Sequence, residues 1–206
     1  MKYFLLIISL LLINTSSFSQ SSEPDTTAAG LASRIFLPSF EIGVQVPTSD
    51  LIGPSFVTKT SIEYRFRNNN DFFLRLCFDT YGASYSLPAI NSTTNAIDGT
   101  VQFTDVLLAP GYRFGDETFR LLVSVMPGVK RYEFPEASID GQRVIVRQEG
   151  RSIFTTSFLV CLEYYFDSKS ALTLNVYENQ VWRAVDFWED GGAAFGFSLG
   201  FITALM

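Results

Sequence analysis

Histidine is absent from all 206 residues of the chain. Catalysis by a histidine base, a Ser–His pair or a His-ligated metal is therefore excluded by composition. A site of paired carboxylates needs no histidine, and Asp79, Asp105 and Glu163 are the candidates for such a site. Compensation of basic residues explains these three better than catalysis. The sequence has no phosphate loop, metal-ligand spacing or dinucleotide fingerprint, so we expect no catalytic residue, metal or cofactor.

Charged residues of both signs recur at alternate positions, which predicts ion pairs. If Phe66 lies opposite Phe72 in a hairpin, Glu63 falls opposite Arg75, and the next pair of this kind joins Lys59 to Asp79. Buried charges must be compensated because an unpaired one is very costly. We expect Arg65, Arg113 and Arg120 to cluster near the short-turn end of the strands with Glu63 and Glu163 as counter-charges, the alternative being that some of these charges contact internal water. The candidate ion-pair residues are Lys59, Glu63, Arg65, Arg75, Asp79, Arg113, Arg120 and Glu163.

Cys77 and Cys161 are the only cysteines, and an even count in an exported protein permits one disulfide. In the predicted strands, the Cys77 and Cys161 side chains point to the same face of the sheet, but the strands that carry them are three strands apart. A disulfide needs Cα atoms within about 7 Å. We therefore expect two buried free thiols.

From Ile35 to the last residue the apolar pattern has a period of two, which is typical of β-strands. Short and long connections alternate along the chain, as in an up-and-down meander. The Asp140-Gly141 pair favours a tight turn and predicts that the fifth and sixth strands continue as a raised hairpin. The eight predicted strands are 38–47, 58–67, 71–86, 101–114, 118–134, 152–167, 170–185 and 192–206.

One face of these strands carries no charge, whereas the other mixes glycine, serine and both signs of charge. A soluble lipocalin-like barrel would turn the apolar face inward, and an outer-membrane barrel would turn it outward to lipid. Glycine weakens a solvated strand but suits a crowded lumen, and an even, closed set of strands leaves no edge in lipid. The fold class we predict is all-β, an eight-stranded antiparallel up-and-down transmembrane β-barrel whose lumen is filled by side chains.

Aromatic residues mark both predicted rims. Three strands end in similar triplets before a short turn, which predicts a periplasmic aromatic girdle. Its members are Tyr64, Phe66, Phe72, Tyr112, Phe114, Phe119, Tyr164 and Phe166. At the long-loop end, Trp182, Phe187 and Trp188 are interpreted as an outer girdle or, alternatively, as contacts for a partner or for lipopolysaccharide.

The strand ends Ile62–Phe66, Pro110–Phe114 and Leu162–Phe166, together with the final Phe/Gly strand, resemble those of the small eight-stranded outer-membrane β-barrels. The similarity, over about 35–206, is greatest to the broad PorT-type "outer membrane protein beta-barrel" group, of OmpA/OmpX-like architecture. It implies location in the cell outer membrane and contact with the barrel-assembly machinery. Enzymes of similar architecture use a catalytic histidine, which this chain lacks. One departure from the pattern is the last residue, Met206, where many such barrels end in an aromatic residue.

The N-terminus predicts export. Residues 1–19 have one charge, Lys2, followed by a short apolar run and small residues, as in a secretory signal peptide; a membrane anchor is the alternative. Residues 20–34 are small and polar and are interpreted as a periplasmic linker before the barrel of 35–206. Loss of Lys2 shifts the net charge from −6 to −7, which opposes binding to nucleic acid.

Three functions remain open for this sequence. We expect a non-enzymatic integral outer-membrane protein, a structural barrel or an accessory subunit of a larger outer-membrane complex that presents outer loops and a periplasmic tail. A narrow channel for small or hydrophobic solutes is the second, because Pro110 and Pro127 interrupt ladder bonding and would mark a side opening. A soluble lipocalin-like binder is the third.

Overall fold

The polypeptide is described by a computed structural model that covers most of the predicted barrel. The described residues are 35–65, 71–88, 96–140, 143–167, 170–188 and 191–204. The predicted signal peptide and linker, residues 1–34, lie outside them, as does Phe66 of the predicted girdle.

Eight antiparallel strands form one closed barrel in which each strand pairs with its neighbours in sequence and β1 pairs with β8. The predicted fold class is thereby confirmed. The strands are β1 Ile35–Pro47, β2 Ile52–Arg65, β3 Phe72–Leu87, β4 Ile97–Gly115, β5 Phe119–Asp140, β6 Arg143–Tyr165, β7 Ser170–Val181 and β8 Gly192–Ala204.

The strands extend further at the long-loop end than the alternation alone predicts. β5 and β6 pair continuously as far as Asp140 and Arg143, whereas β5 pairs with β4 only as far as Tyr132 and β6 pairs with β7 only from Thr155. The raised hairpin is therefore present. β7 is an exception, because it ends at Val181 rather than 185 and the chain then turns inward.

The register of β2 and β3 is the predicted one. Glu63 lies opposite Arg75 and Lys59 opposite Asp79. Since successive strand residues point to opposite faces, a slip of one residue would have placed these charges on the outer wall.

The apolar face points outward. On β8, Phe197 and Leu199 are 53% and 57% exposed, whereas Ser198 between them is completely buried. The same alternation holds on β2 and β3, where the charged residues are buried and Phe56, Phe72 and Phe78 are exposed. A belt of this kind is stable only against lipid. The interpretation as a soluble lipocalin-like binder, which needs the apolar face inside, is wrong.

Among the described residues, no helix is long and apolar enough to cross a membrane.

Candidate functional site

The lumen near the short turns is closed by two glutamates and three arginines, here called the short-turn network. Its members are Glu63, Arg65, Arg75, Arg113 and Glu163. They come from inward positions of β2, β3, β4 and β6, and each is almost completely buried. Five inward side chains from four strands meet because an eight-stranded barrel is only wide enough for its own side chains.

Glu63 is the centre of this network. Its Oε2 accepts from Arg75 Nη2 at 2.7 Å and from Arg113 Nη2 at 2.5 Å, and its Oε1 accepts from Arg65 Nε at 2.7 Å. Across the lumen, Arg113 Nε donates to Glu163 Oε2 at 2.9 Å and Arg113 Nη2 to Glu163 Oε1 at 3.1 Å. Arg113 therefore bridges the two carboxylates, and its forked guanidinium suits this task better than a lysine would.

Two aromatic residues complete the network. The Phe73 ring lies 4.4 Å from the guanidinium carbon of Arg113. Tyr165 donates its hydroxyl proton to Glu163 Oε2 at 2.9 Å and accepts from Arg65 Nη2 at 2.7 Å. Its hydroxyl thus joins the two halves of the network, a role that strand alternation alone does not reveal.

Arg120 lies at the short-turn rim, where the arginines were expected to cluster, and its guanidinium carbon is 5.3 Å from the centre of the Tyr165 ring. None of the described ion pairs joins it to Glu63 or Glu163, the counter-charges expected for it. Arg120 is opposite Glu163 in the β5–β6 ladder, but its Nε donates to the main-chain oxygen of Asp116 at 3.1 Å. Arg120 is at the end of β5, next to the turn, so its long side chain reaches the rim rather than the lumen. Arg113 takes the position beside Glu163 instead.

Two further ion pairs lie nearer the middle of the barrel. Lys59 Nζ is 2.9 Å from Asp79 Oδ2 and 3.4 Å from the centre of the Tyr177 ring. Lys130 Nζ is 2.6 Å from Asp105 Oδ2 and also donates to the Tyr81 hydroxyl. Asp79 and Asp105 are opposite each other on β3 and β4, and the two lysines flank them from β2 and β5, so each lysine compensates one of two adjacent like charges.

A third polar group, on β1, β7 and β8, was not among the predicted site residues. Glu41 Oε2 accepts from Asn175 Nδ2 and from Ser198 Oγ, both at 2.9 Å. The sequence did contain a signal for this group, because Glu41 is a charged residue at an inward position of β1. Its partners are neutral and distant in sequence, so no charge pattern identified them.

An apolar layer lies within the polar lumen and was not expected from the mixed face. Both cysteines belong to it and are free thiols, as predicted. The layer has a simple cause, because inward positions of β4, β5 and β6 hold medium-sized apolar residues that fill the narrow interior. Its members are Phe73, Cys77, Leu107, Ala109, Leu122, Met126, Leu159, Cys161 and Tyr177.

The β4–β5 ladder is interrupted beside this apolar layer. Pairing runs from Phe103 to Leu107 and resumes at Gly111, in the same register throughout. The unpaired stretch contains Pro110 on β4 and Pro127 on β5, and proline has no N–H to donate. The wall therefore has fewer cross-strand bonds at this point.

The long-loop mouth is closed by aromatic side chains from the β7–β8 connection. Phe187 and Trp188 are 0% and 5% exposed and pack inside the barrel. Their interpretation as an outer girdle or as surface contacts is wrong, because the chain folds back over the mouth and inserts both rings. Trp182 is 54% exposed and donates its Nε1–H to Thr156 Oγ1 at 3.0 Å, so it stays a candidate for outer contacts.

The predicted girdle residues that the structure describes lie at the short-turn rim. Tyr64, Phe72, Phe119, Tyr164 and Phe166 are exposed. Tyr112 and Phe114 are half-buried because their rings contact each other, with centroids 4.6 Å apart. A rim of outward aromatic rings is typical of membrane interfaces.

The short turn between β4 and β5 is held by a carboxylate outside the membrane-spanning segments. Asp116 Oδ1 accepts from the backbone N–H groups of Phe119 and Thr118, both at 2.8 Å. These bonds stabilise the charged form and lower the pKa of Asp116.

The described side chains of the lumen form ion pairs, hydrogen bonds and an apolar layer. No cluster of three or more metal-ligating acidic or cysteine side chains occurs among the described residues. Two interior cavities, one beneath the mouth and one beside Cys77, have volumes of about 20 Å³ each, which is room for about one water molecule.

Comparison with known proteins yields similarity in structure alone. No protein-family model matches the sequence, and no curated protein matches it. Ail, the attachment invasion locus protein of Yersinia pestis, has a TM-score of 0.52 at 14% identity, covering 84% of this chain and 100% of Ail.

Two other solved barrels are similar to the same extent. Neisserial surface protein A has a TM-score of 0.56 at 12% identity, covering 82% of this chain and 96% of that protein. The outer membrane protein OprG from Pseudomonas aeruginosa has a TM-score of 0.55 at 7% identity, covering 84% and 96%. With its apolar outer belt and its charged lumen, the chain has the fold of the small eight-stranded outer-membrane β-barrels.

Proposed function

We propose that the protein is a non-enzymatic integral outer-membrane protein of the PorT type, a structural barrel or an accessory subunit of a larger outer-membrane complex. The observation that carries this proposal is the combination of an outward apolar belt with a lumen filled at every level by paired charges, apolar side chains and the aromatic mouth. Such a barrel has no interior left for a substrate path. Its functional surfaces are then the outer wall, the raised β5–β6 hairpin and the periplasmic side.

Several partners follow from this proposal. The belt contacts outer-membrane lipid, and Trp182 and the raised hairpin are placed to contact lipopolysaccharide or a neighbouring subunit. Assembly requires the barrel-assembly machinery. Nucleic acid is not a partner, because the net charge is negative.

Affinity purification from native membranes tests the subunit role. The tagged chain is extracted in mild detergent and compared with a variant that carries Trp182→Ala, which removes an exposed ring without touching the lumen. We expect a defined set of co-purifying membrane proteins that Trp182→Ala depletes. Recovery of the barrel alone, from both strains, would overturn the subunit role.

Planar-bilayer recording tests the closed lumen. Because the short-turn network and the aromatic mouth both block the axis, conductance of the purified barrel should stay at background. The double variant Glu63→Ala/Arg113→Ala removes the centre of the network but leaves the aromatic mouth and the apolar layer in place, so it should stay at background as well. Steady conductance of the unmodified protein would contradict a closed lumen.

A narrow route for small hydrophobic solutes is the second candidate function. It is favoured by the interrupted ladder at Pro110 and Pro127, which lies beside the apolar layer of the lumen. Uptake of a lipid-soluble dye into proteoliposomes is the test. The double variant Pro110→Val/Pro127→Val restores two N–H donors and should slow uptake, whereas equal uptake with and without the protein would remove this candidate.

A further inference from the structure

The long-loop mouth of the barrel is an aromatic cup that the chain fills with its own side chains. Trp188 packs against Phe103 and Tyr132, with ring centroids 5.8 Å and 5.6 Å away, and these two rings also contact each other at 5.5 Å. Phe187 contacts Tyr85 and Phe134 at 5.7 Å and 5.0 Å. The walls of the cup belong to β3, β4 and β5, whereas its occupants come from a connection.

This connection, residues 182–188, is here called the lid. Val185 and Trp188 make their main-chain hydrogen bonds to each other, at 2.8 Å and 2.9 Å, and so form a tight turn rather than part of the barrel ladder. Asp186 at its tip has a φ of 49°, a left-handed conformation that aspartate tolerates. The lid is thus a separate unit placed on the barrel.

The tip of the lid is held to the barrel by polar contacts of Asp186 and by one main-chain oxygen. The Tyr132 hydroxyl donates to Asp186 Oδ2 at 2.6 Å, and Arg151 Nη1 is 3.4 Å from Asp186 Oδ1. Ser49 Oγ donates to the carbonyl of Phe187 at 2.6 Å. Arg151 is partly exposed and Asp186 is buried, and none of these three contacts is a ladder bond between strands, so the lid can be released without breaking strands.

Beneath Trp188 the floor of the cup contains polar side chains that are not fully hydrogen-bonded. A cavity of about 20 Å³ is bounded there by Gln45, Ser55 and Asn179, among others. Ser55 Oγ and Asn179 Oδ1 have no hydrogen-bond partner among the described residues, and the two side chains are only 7% and 4% exposed. Buried polar groups are normally satisfied, so these two oxygens indicate a missing hydrogen-bond donor above the floor.

The charge of the floor is already balanced. Lys130 borders the same cavity, but it is paired with Asp105 and donates to Tyr81. No uncompensated charge among the described residues of the floor calls for an ionic ligand. A ligand that suits these walls and this floor is neutral, flat and apolar, with an O–H or N–H donor at its inner end.

We propose that the cup is a binding site for small neutral aromatic molecules of the phenol or indole class, which enter when the lid lifts and take the places of the Phe187 and Trp188 rings. The ring of the ligand packs against Phe103 and Tyr132, as Trp188 does with the lid closed. Its donor reaches Asn179 Oδ1 or Ser55 Oγ. Affinity is set by competition with the lid, so the apparent dissociation constant reflects the fraction of open molecules.

Fluorescence of Trp188 tests this proposal in the full chain, reconstituted in phosphatidylcholine nanodiscs. The chain has two tryptophans, and Trp182→Phe leaves Trp188 as the single reporter. Phenol is titrated as the probe because it does not emit in the tryptophan range. We expect a saturable red shift as Trp188 leaves the cup for solvent.

Matched variants distinguish a site from partition of phenol into lipid. Asp186→Ala releases the lid and should lower the apparent dissociation constant by about threefold or more. Ser55→Ala removes a floor hydroxyl and should raise it, whereas Ser84→Ala, the same change at an exposed position of β3, should leave it unchanged. A shift that rises linearly with phenol and is equal in all variants would overturn the proposal, as would a saturable shift indifferent to both Asp186→Ala and Ser55→Ala.

Discussion

At the scale of single residues, Glu63 carries the largest share of the charge compensation in the lumen. Three arginines donate to its two oxygens, and it has almost no contact with solvent. Removing one partner of a buried ion pair leaves the others uncompensated, which costs far more than the pair contributes over an apolar replacement.

Glu63→Gln should therefore destabilise the barrel by about 3 kcal/mol or more. Urea unfolding of the reconstituted protein, followed by gel shift, measures the change. The control is Glu136→Gln, which removes an acceptor of Arg151 on the raised hairpin, where both partners are partly exposed; its effect should stay below about 1 kcal/mol. Equal effects of the two changes would contradict the buried network.

The two thiols provide a second test at this scale. Cys77 and Cys161 are buried in the apolar layer and are not bonded to each other. A water-soluble maleimide should label neither thiol in the folded barrel and both after unfolding without reductant. Absence of labelling in the unfolded chain would indicate a disulfide and contradict the structure.

At the scale of the strands, close packing of the lumen makes the size of inward residues critical. Gly111 on β4 faces Phe73, and a Cβ there would lie 2.1 Å from a carbon of that ring. The Phe73 ring in turn packs against Arg113. A methyl group at 111 thus disturbs the short-turn network indirectly.

Gly111→Ala should destabilise the barrel by about 1–3 kcal/mol, the usual cost of overpacking. Gly150 on the raised part of β6 is a matched control, because a Cβ at 150 meets nothing within 4 Å. Unfolding midpoints in urea compare the two variants. A Gly111→Ala barrel as stable as Gly150→Ala would show that the lumen is looser than described.

The β4–β5 turn gives a pH-dependent prediction. The folded-state pKa of Asp116 is lowered by the N–H donors of Phe119 and Thr118. Its stabilising contribution is therefore fully present above the unfolded pKa of about 3.9. It is lost as the pH falls through the lower, folded-state pKa.

Asp116→Asn should therefore be less stable than the unmodified barrel at pH 7, and the difference should shrink as the pH falls below about 4. Unfolding midpoints in urea at a series of pH values provide the measurement, with Glu117→Gln, one residue along the same turn, as the control for charge alone. A difference that grows on acidification would refute the sign of this effect.

At the scale of the whole molecule, the number of strands, their order and the outward orientation of the apolar face could be predicted from the sequence. Each of these depends on period-two alternation, which is a local signal. The pairing of Glu63 with Arg75 was also predictable from sequence. In an antiparallel hairpin the residue numbers of every opposite pair add up to the same total, so one pair fixes all the others. Contacts across the lumen, such as that of Arg113 with Glu63, could not be predicted from the sequence, because they depend on how all eight strands tilt and stagger.

The mouth was beyond prediction for a different reason. Phe187 and Trp188 stand in a connection without periodicity, so nothing in their spacing distinguishes an inserted ring from an exposed one. The apolar layer was missed because its members are spread over five strands, one or two to a strand, and become a cluster only when the barrel closes.

The apolar face of all eight strands is placed to contact lipid. Membrane fractionation of cells that express the chain is the direct test of this contact. We expect the protein to sediment with the outer membrane, to resist washing with alkaline carbonate and to be released only by detergent. Recovery of the folded protein in the soluble periplasmic fraction, without detergent, would contradict it.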